Sequence, residues 1–405
     1  MKFVWDETLH QAKAMLRSWA SAAEAGIPSM QKDTRTLSLN VLASTGFRKS
    51  YDFHGSADPV VDEVGGYRDS LQTVLDNIIP LMLIPYHFLT WPMVPKSWQR
   101  IGNAAVSFKK YMMKMLEEET TALNQGKPGS GGIMTAFVRA LDVHDRETSM
   151  SETKDEEGKK GLSVDEIFGN LFVINFAGHD TTANTLAFSM LLLAAYPDVQ
   201  AWISEEIMLV TKHAPVEEWD YKGLFPQLKR CRAVLLETLR VYPPIMALPK
   251  WTSRKAQTIR VGEQTITIPP GISTIPYLRA IQTHPKYWPD PYSWLPSRWI
   301  QRPAPRSSPS KEQILNEELL VPERSTYFPW SDGPQNCPGK KFAEVEAVAV
   351  LACLFKTHRL HVKEEAGESQ DAARRRAIDC TNDVNMEMLL RMTNADRVRL
   401  VCREV

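Results

Sequence analysis

The stretch from Val164 to Ala195 constrains the fold more than any other part of this chain, because it is apolar on nearly every face. A helix that is hydrophobic all round has to be surrounded by other elements, as in the middle of a large protein. Its start is marked. Ser163-Val164-Asp165-Glu166 has capping-box spacing, with Ser163 able to accept from the third helical amide and Glu166 to reach back. Its centre breaks the pattern: Ala177-Gly178-His179-Asp180-Thr181-Thr182 places a glycine, an acid and two hydroxyls together, each a helix-weakening choice. One reading is a locally bent helix whose hydroxyls bond back to carbonyls; the other is a functional site.

The remainder must supply the surround. Periodicity predicts helices over Asp6 to Ala25, Lys32 to Thr45, Gly66 to about Leu83 and Ser97 to Leu123. Further helices follow over Pro197 to about Val210, with proline in its favoured first turn, Gln227 to Val241 and Lys340 to Ala352. Leu81 to Val94 is apolar but interrupted by Pro85 and Pro92, with Pro95 just beyond, so it cannot be a spanning helix. It is either a buried interhelical loop or an exposed apolar lip at a membrane or substrate mouth. Asp142 to Gly161 mixes charges without apolar periodicity and reads as a solvated linker.

Strands are few. Thr258 to Val261 and Gln264 to Ile268 read as a hairpin turning through Gly262-Glu263, followed by Ser273 to Pro276. A second group is expected at Arg359 to Val362, Met386 to Arg391 and Arg397 to Cys402, interrupted by a charged loop from Glu364 to Arg376. The class is therefore mainly α with small β-sheets. We read one domain over residues 1–405, helical over 1–250, β-rich over 251–280, with a loop of special composition at 328–339 and a helix and strands over 340–405. Forty-eight basic and 48 acidic residues cancel, which speaks against a dedicated nucleic-acid binder. The five cysteines are odd in number and lack CxxC pairs, which argues for a reducing compartment. No apolar signal core precedes the first helix, and no run of about 18 uncharged apolar residues encodes a transmembrane helix.

Phe328-Pro329-Trp330-Ser331-Asp332-Gly333-Pro334-Gln335-Asn336-Cys337-Pro338-Gly339 surrounds one cysteine with turn formers and runs straight into a helical pattern. Just before a helix N-terminus, unpaired amide donors and the macrodipole stabilise a thiolate. Such a cysteine is a metal ligand, a nucleophile or an ordinary buried thiol. Gly333 and Gly339 let a large flat ligand approach the backbone, and Trp330 supplies a flat apolar wall. Zinc would need more ligands, and no second Cys or His lies in the stretch. A cofactor that brings four equatorial ligands of its own needs one protein atom, and haem with an axial cysteine fits.

On these residues the stretch resembles the haem-binding loop of the cytochrome P-450 family, whose pattern is FxxGxRxCxG. Gly333, Cys337 and Gly339 match; Trp330 stands for the usual phenylalanine and Gln335 for the arginine that reaches a haem propionate. The neutral amide forfeits the charge-assisted part of a contact of roughly 1.5 to 3 kcal/mol. Ala177 to Thr182 meets the family's AGx(D/E)T(T/S) signature. Glu237-Thr238-Leu239-Arg240 alone reads as a solvated helix pair, but with Pro296-Ser297-Arg298-Trp299 it is similar to the family's ExxR and PxRW elements.

The resemblance implies a P-450-like fold holding haem b, with Cys337 as axial iron ligand and Trp330, Gly333, Gln335, Gly339 and Lys250 around the cofactor. It implies Asp180 and Thr181 as a proton-handling acid and hydroxyl, Gly178 as an opening in the helix for oxygen, and Glu237, Arg240 and Arg298 as a structural lock. Phe172, Phe176, Ala177 and Ile245 to Leu248 would line an apolar pocket. The implied activity is a monooxygenase inserting one atom of O2 into a lipophilic small molecule. An NADPH-dependent reductase would dock on Lys229, Arg230, Arg232, Lys340 and Lys341, and Leu81 to Val94 would touch the cytosolic face of the endoplasmic reticulum membrane. The usual anchor, first strands and WxxxR helix of the family have no counterpart here, so an N-terminally truncated chain is expected. The competing function is accordingly a catalytically silent member with impaired haem binding.

Overall fold

The computed structural model describes residues 1–56, 67–127, 129, 131–148, 161–301, 310–386 and 388–405. Fifteen α-helices occur among them: α1 (Lys2–Ser21), α2 (Met30–Phe47), α3 (Tyr67–Asp76), α4 (Ile78–Leu83), α5 (Tyr86–Leu89), α6 (Lys96–Asn124), α7 (Ile133–Thr148), α8 (Val164–Ala195), α9 (Pro197–Thr211), α10 (Tyr221–Leu224), α11 (Lys229–Val241), α12 (Leu278–Gln282), α13 (Lys311–Leu315), α14 (Lys340–Phe355) and α15 (Gln370–Asn382). The chain divides into two units, one of Met1–Ser38, Phe53–Ala57 and Asp180–Val405, the other of Leu39–Asp52 and Asp58–His179.

The smaller unit is helical. Its core gathers Leu71, Ala104, Met112, Val138, Ile167 and Leu171. The buried side of α6 reads Ile101, Ala104, Phe108, Met112 and Met115, a three-to-four-residue spacing that lays one stripe on the core. Three expectations change here. The helix placed over Gly66 to Leu83 is broken at Asn77, whose Nδ2 donates to the Thr73 carbonyl at 2.9 Å and so competes with the backbone ladder; Gly66 itself lies outside the described residues. Residues 142–148 are the end of α7 rather than linker, and 149–160 lie outside the described residues. The stretch Leu81 to Val94 is not a buried loop: Met82, Leu83, Trp91 and Met93 are exposed, and Leu89 is buried.

In the larger unit, α14 is the central element. Every residue from Glu344 to Phe355 is buried, with α1, α9 and α11 packed around it. Helix α1 presents Val4, Trp5, Leu9, Ala12, Met15 and Trp19 as its buried stripe. From Ala183 to Ala195, α8 is buried at every position, as expected of an all-apolar helix. Its N-terminal half, which belongs to the smaller unit, buries only one side, through Ile167, Leu171, Asn175 and His179, and leaves Val173 exposed. The capping box at its start is formed, with Ser163 N donating to Glu166 Oε2 at 2.8 Å and Glu166 N to Ser163 Oγ at 3.3 Å.

The sheets are two-stranded and antiparallel: β1 (Lys250–Trp251) with β4 (Ser273–Thr274), β2 (Gln257–Val261) with β3 (Gln264–Ile268), β5 (Ile300–Gln301) with β6 (Glu318–Leu319), β7 (His358–Val362) with β10 (Leu400–Glu404), and β8 (Val384–Met386) with β9 (Leu390–Met392). The expected hairpin forms in register, Val261 opposite Gln264, with Gly262 at φ 61° in its turn. The expected charged loop from Glu364 to Arg376 is half helix. α15 starts after Ser369, whose side chain accepts from Ala372 N, and buries Ala373, Ala377 and Cys380 beneath its charges. That apolar stripe is made of small residues, which the surrounding arginines conceal in the sequence.

Glu346 stands in the middle of buried α14. Ser38 Oγ donates to its Oε1 at 2.5 Å, and Oε2 meets no partner. Burial pushes its carboxyl up to about 8, so it is neutral in the folded chain at pH 7. The folded pKa lies above the unfolded one, so this group's contribution is fully present below about pH 4.5 and is lost as pH rises toward 8. Glu346→Gln is therefore expected to raise stability at pH 7 by a few kcal/mol, at about 1.4 kcal/mol per pH unit, and to flatten the slope between pH 5 and 8. Urea unfolding at several pH values checks this; an unchanged slope would refute it.

Candidate functional site

The loop before α14 is shaped by backbone geometry. Ser331 and Gly333 both have left-handed φ, 67° and 90°, and Cys337 N donates to the Trp330 carbonyl at 2.8 Å, closing the turn. At Gly333 the dihedral alone demands glycine, since a Cβ there would meet nothing within 4 Å. Ser331 bears the strain of its φ with its hydroxyl held by Lys250 Nζ at 2.8 Å. Gly339 is the N-cap of α14, and a Cβ on it would lie 3.7 Å from Cys337 Sγ. The loop thus holds Cys337 at the head of a helix that is buried from Glu344 to Phe355.

Cys337 is exposed, and the other four cysteines are buried. Burial pushes the Cys353 and Cys402 thiols up to about 12 and the Cys231 thiol well above its usual value, which makes them inert. Among the described residues no three His, Cys, Asp or Glu side chains converge on a point. An accessible sulfur on a rigid turn, with space kept beside it at Gly339, fits a cofactor that needs one protein ligand and brings the rest itself.

Lys250 is brought to this loop, donating to Ser331 Oγ and, at 3.2 Å, to the Asp332 carbonyl. Lys340 lies over the Trp330 ring, 5.3 Å from its centroid, and Arg324 pairs with Asp332 at 3.0 Å, holding that carboxyl below the usual range. Gln335 is exposed in the same turn.

Asp180 and Thr181 sit on a different element, the middle of α8. The helix runs through Ala177 to Thr182 without interruption. Thr185 Oγ1 donates to the Thr181 carbonyl at 2.9 Å, and Ser189 Oγ to the Thr185 carbonyl, so hydroxyls do bond back along this stretch. Gly178 has a packing reason: a Cβ there would meet the Leu42 side chain of α2 at 3.1 Å. Asp180 is 4% exposed and is held by Arg35 Nε at 3.0 Å and by Arg391. Neither arginine was expected. They stand 145 and 211 residues from Asp180 in the chain, and no local spacing announces them.

Glu237, Arg240 and Arg298 do come together, and the pair is not a solvated one. Glu237 and Arg240 are fully buried, joined by Arg240 Nε to Oε2 at 2.8 Å and Nη2 to Oε1 at 2.9 Å. Arg298 Nε adds 3.0 Å to Oε1 and Trp299 Nε1 2.8 Å to Oε2. Arg230, expected as a docking cation, is instead buried and paired with Glu317 at 2.8 Å and Glu205 at 2.7 Å. It is unavailable to a partner.

The family model of the cytochromes P-450 matches residues 5–376 of the chain. The chain belongs to the cytochrome P-450 family. A cytochrome P-450 monooxygenase of Arthrobotrys oligospora is 30% identical, covering all of this chain and 72% of that protein. Cytochrome P-450 monooxygenase 124 of Postia placenta is 28% identical over 95% of this chain and 69% of its own length. A cytochrome P-450 crystal structure aligns over the whole chain and 78% of its own with TM-score 0.69 at 18% identity, which shows the fold. Members of this family bind haem iron, and the chain is an enzyme of cytochrome P-450 type.

Removing one member of a buried ion pair strands the other charge. Glu237→Ala is expected to destabilise the chain by about 3 to 5 kcal/mol, whereas Arg298→Lys, at the half-buried edge, costs less. Chemical denaturation of both variants checks the order, and equal effects would contradict it.

Proposed function

We propose that this P-450 enzyme is a haem-thiolate monooxygenase acting on a lipophilic small molecule. The observation that carries the reading is the exposed Cys337, fixed by the closed Trp330 turn at the head of buried α14. When bound, haem would supply the redox centre at which electrons from a reductase activate O2, one oxygen atom going to the substrate and the other to water, and a thiolate ligand would favour O–O cleavage. The rest falls to side chains of the chain. Cys337 holds the iron, Trp330 walls the cofactor, and Gly333 and Gly339 allow its close approach. Lys250 and Gln335 are the polar groups for its propionates, one cationic and one neutral.

Protons must reach the distal side, and Asp180 with the Thr181 hydroxyl is the acid–alcohol pair for that task. The substrate would be lipophilic because the α8 residues preceding this pair, Phe172 and Phe176, are aromatic and partly buried. Electrons would come from an NADPH-dependent reductase meeting Lys229, Arg232, Lys340 and Lys341. The exposed Met82, Leu83, Trp91 and Met93 support peripheral contact with a membrane such as the endoplasmic reticulum's cytosolic face. No single described helix is long and apolar enough to cross one.

A second reading, weakened haem retention, is favoured by Gln335, since a neutral amide replaces a cation at the loop. Two measurements test the pair. After addition of haem, reduction and carbon monoxide, a thiolate-type red-shifted Soret band is expected, and Cys337→Ala abolishes it; a wild-type chain without that band overturns the monooxygenase reading. Gln335→Arg is expected to slow haem transfer to an acceptor protein by roughly tenfold, equivalent to about 1.4 kcal/mol. Unchanged transfer would remove Gln335 from the propionate contacts.

A further inference from the structure

From Asp332 to Pro338 every residue of the cysteine loop is exposed. No apolar packing positions this turn, so its shape rests on polar contacts, and those contacts are unequal. The Arg324–Asp332 pair is open to solvent, its side chains 82% and 48% exposed, and pairs of that kind hold little. The Cys337 amide on the Trp330 carbonyl joins the two limbs of the loop at one point. The remaining order comes through Ser331, a non-glycine residue at φ 67°, and such a conformation persists only where its surroundings over-determine it.

Lys250 supplies that constraint. Its Nζ donates to Ser331 Oγ at 2.8 Å and to the next carbonyl, that of Asp332, at 3.2 Å. With Ser331 N on the Phe328 carbonyl at 2.9 Å, both the backbone and the side chain of the residue are held. The hydroxyl then turns its own proton to the Gln335 carbonyl, 3.4 Å away on the opposite limb and two residues before Cys337. A hydroxyl that accepts from a cation is the better donor, so this long contact depends on the ammonium. Lys250 is itself fixed. It lies on β1 opposite Thr274 of β4, and just beyond it Thr252 N donates to the Ile272 carbonyl at 3.1 Å. The order of a regular sheet is thereby passed through one side chain to an exposed loop.

We infer that Lys250 is a positioning residue for the Cys337 ligand, acting through the Ser331 hydroxyl to keep the two limbs of the loop at the spacing that presents the sulfur to a metal. This task differs from meeting a propionate, and it occupies two of the three ammonium donors. The hold on the loop follows from the geometry; its effect on iron ligation rests on the haem-thiolate reading above.

The test has two arms. The first uses the chain without haem and reads hydrogen exchange at the Cys337 amide. Lys250→Met and Ser331→Ala are each expected to speed it by roughly tenfold, the size of coupling usual between contacting groups, with the amides of β7 and β10 unchanged. Lys250→Arg restores part of the protection, and the variant carrying both Lys250→Met and Ser331→Ala exchanges about as fast as the faster single one. Unchanged exchange in both single variants, or additive effects when they are combined, would overturn the inference. The second arm loads the chain with haem, reduces it, adds carbon monoxide and reads the share of cofactor in the red-shifted thiolate band. That share is expected to fall by about twofold or more in both Lys250→Met and Ser331→Ala, and to return toward wild type in Lys250→Arg. A loss in Lys250→Met with Ser331→Ala equal to wild type would assign Lys250 to a propionate alone and refute the positioning role. A wild-type chain without the band defeats the haem-thiolate reading, while the exchange arm still decides the hold on the loop.

Discussion

The carboxylate of Glu237 is the contact on which the surroundings of Cys337 depend. It is wholly buried and accepts from Arg240, Arg298, Trp299 and the backbone amide of Leu295. A buried charge is tolerated only when paired and fully hydrogen-bonded, and these donors accomplish both. The two arginines then carry the order outward. Arg240 donates to the carbonyls of Gln282, Pro291 and Ser293, and Arg298 to those of Pro289 and Asp290. The chain from 283 to 295 has no helix or strand to satisfy its carbonyls, so these guanidiniums serve in their place. Trp299 in turn packs edge-to-face against Tyr327, ring centroids 4.6 Å apart, and the Tyr327 hydroxyl donates to the Leu236 carbonyl. Tyr327 is the residue before the cysteine loop begins. The loop is thus held at its start by the Glu237 network and at its end by α14.

Buried carboxylates elsewhere in this unit are handled differently, and the differences assign them different roles. Glu206 accepts from the backbone amides of Lys229, Arg230 and Cys231, so it caps the very helix that carries Glu237. Helix α11 is fixed by a carboxylate at its start and another near its end. Glu346 has one hydroxyl for a partner and is accommodated by staying protonated. Asp180 is matched by two arginines, one of them on the edge of solvent. Only in the last case does the compensating charge reach solvent, the Arg391 side chain being 36% exposed.

What the sequence makes legible follows the range of the interaction. The β2–β3 hairpin, the capping box at Ser163 and the extent of α8 are set by neighbours a few residues apart, and each is readable. The all-apolar run of α8 correctly announces burial after Ala183, where one unit surrounds it, and overstates burial before Asp180, where one side only is covered. α15 is hidden because charged residues cover a small-residue stripe, and α7 beyond residue 142 because its sequence there is mostly charged and polar. The Glu237 group is readable only as two separate short patterns, since 61 residues separate Glu237 from Arg298. The arginines on Asp180 are not readable at all: a guanidinium can reach an acid from any element the fold brings near it.

The same contrast governs the charge at the cysteine loop. Read locally, the loop lacks a cation, because Gln335 occupies the position at which the family pattern has arginine. In three dimensions Lys250 enters from β1 to hold Ser331, Arg324 balances Asp332, and Lys340 covers Trp330 from the first turn of α14. Positive charge at the loop is therefore a property of three elements that converge on it, and the single residue that the motif singles out is the one that contributes none. Because Lys250 spends two of its three donors on the loop itself, the charge is fixed in place by the turn it stabilises, and the left-handed Ser331 is the residue through which turn geometry and electrostatics are joined.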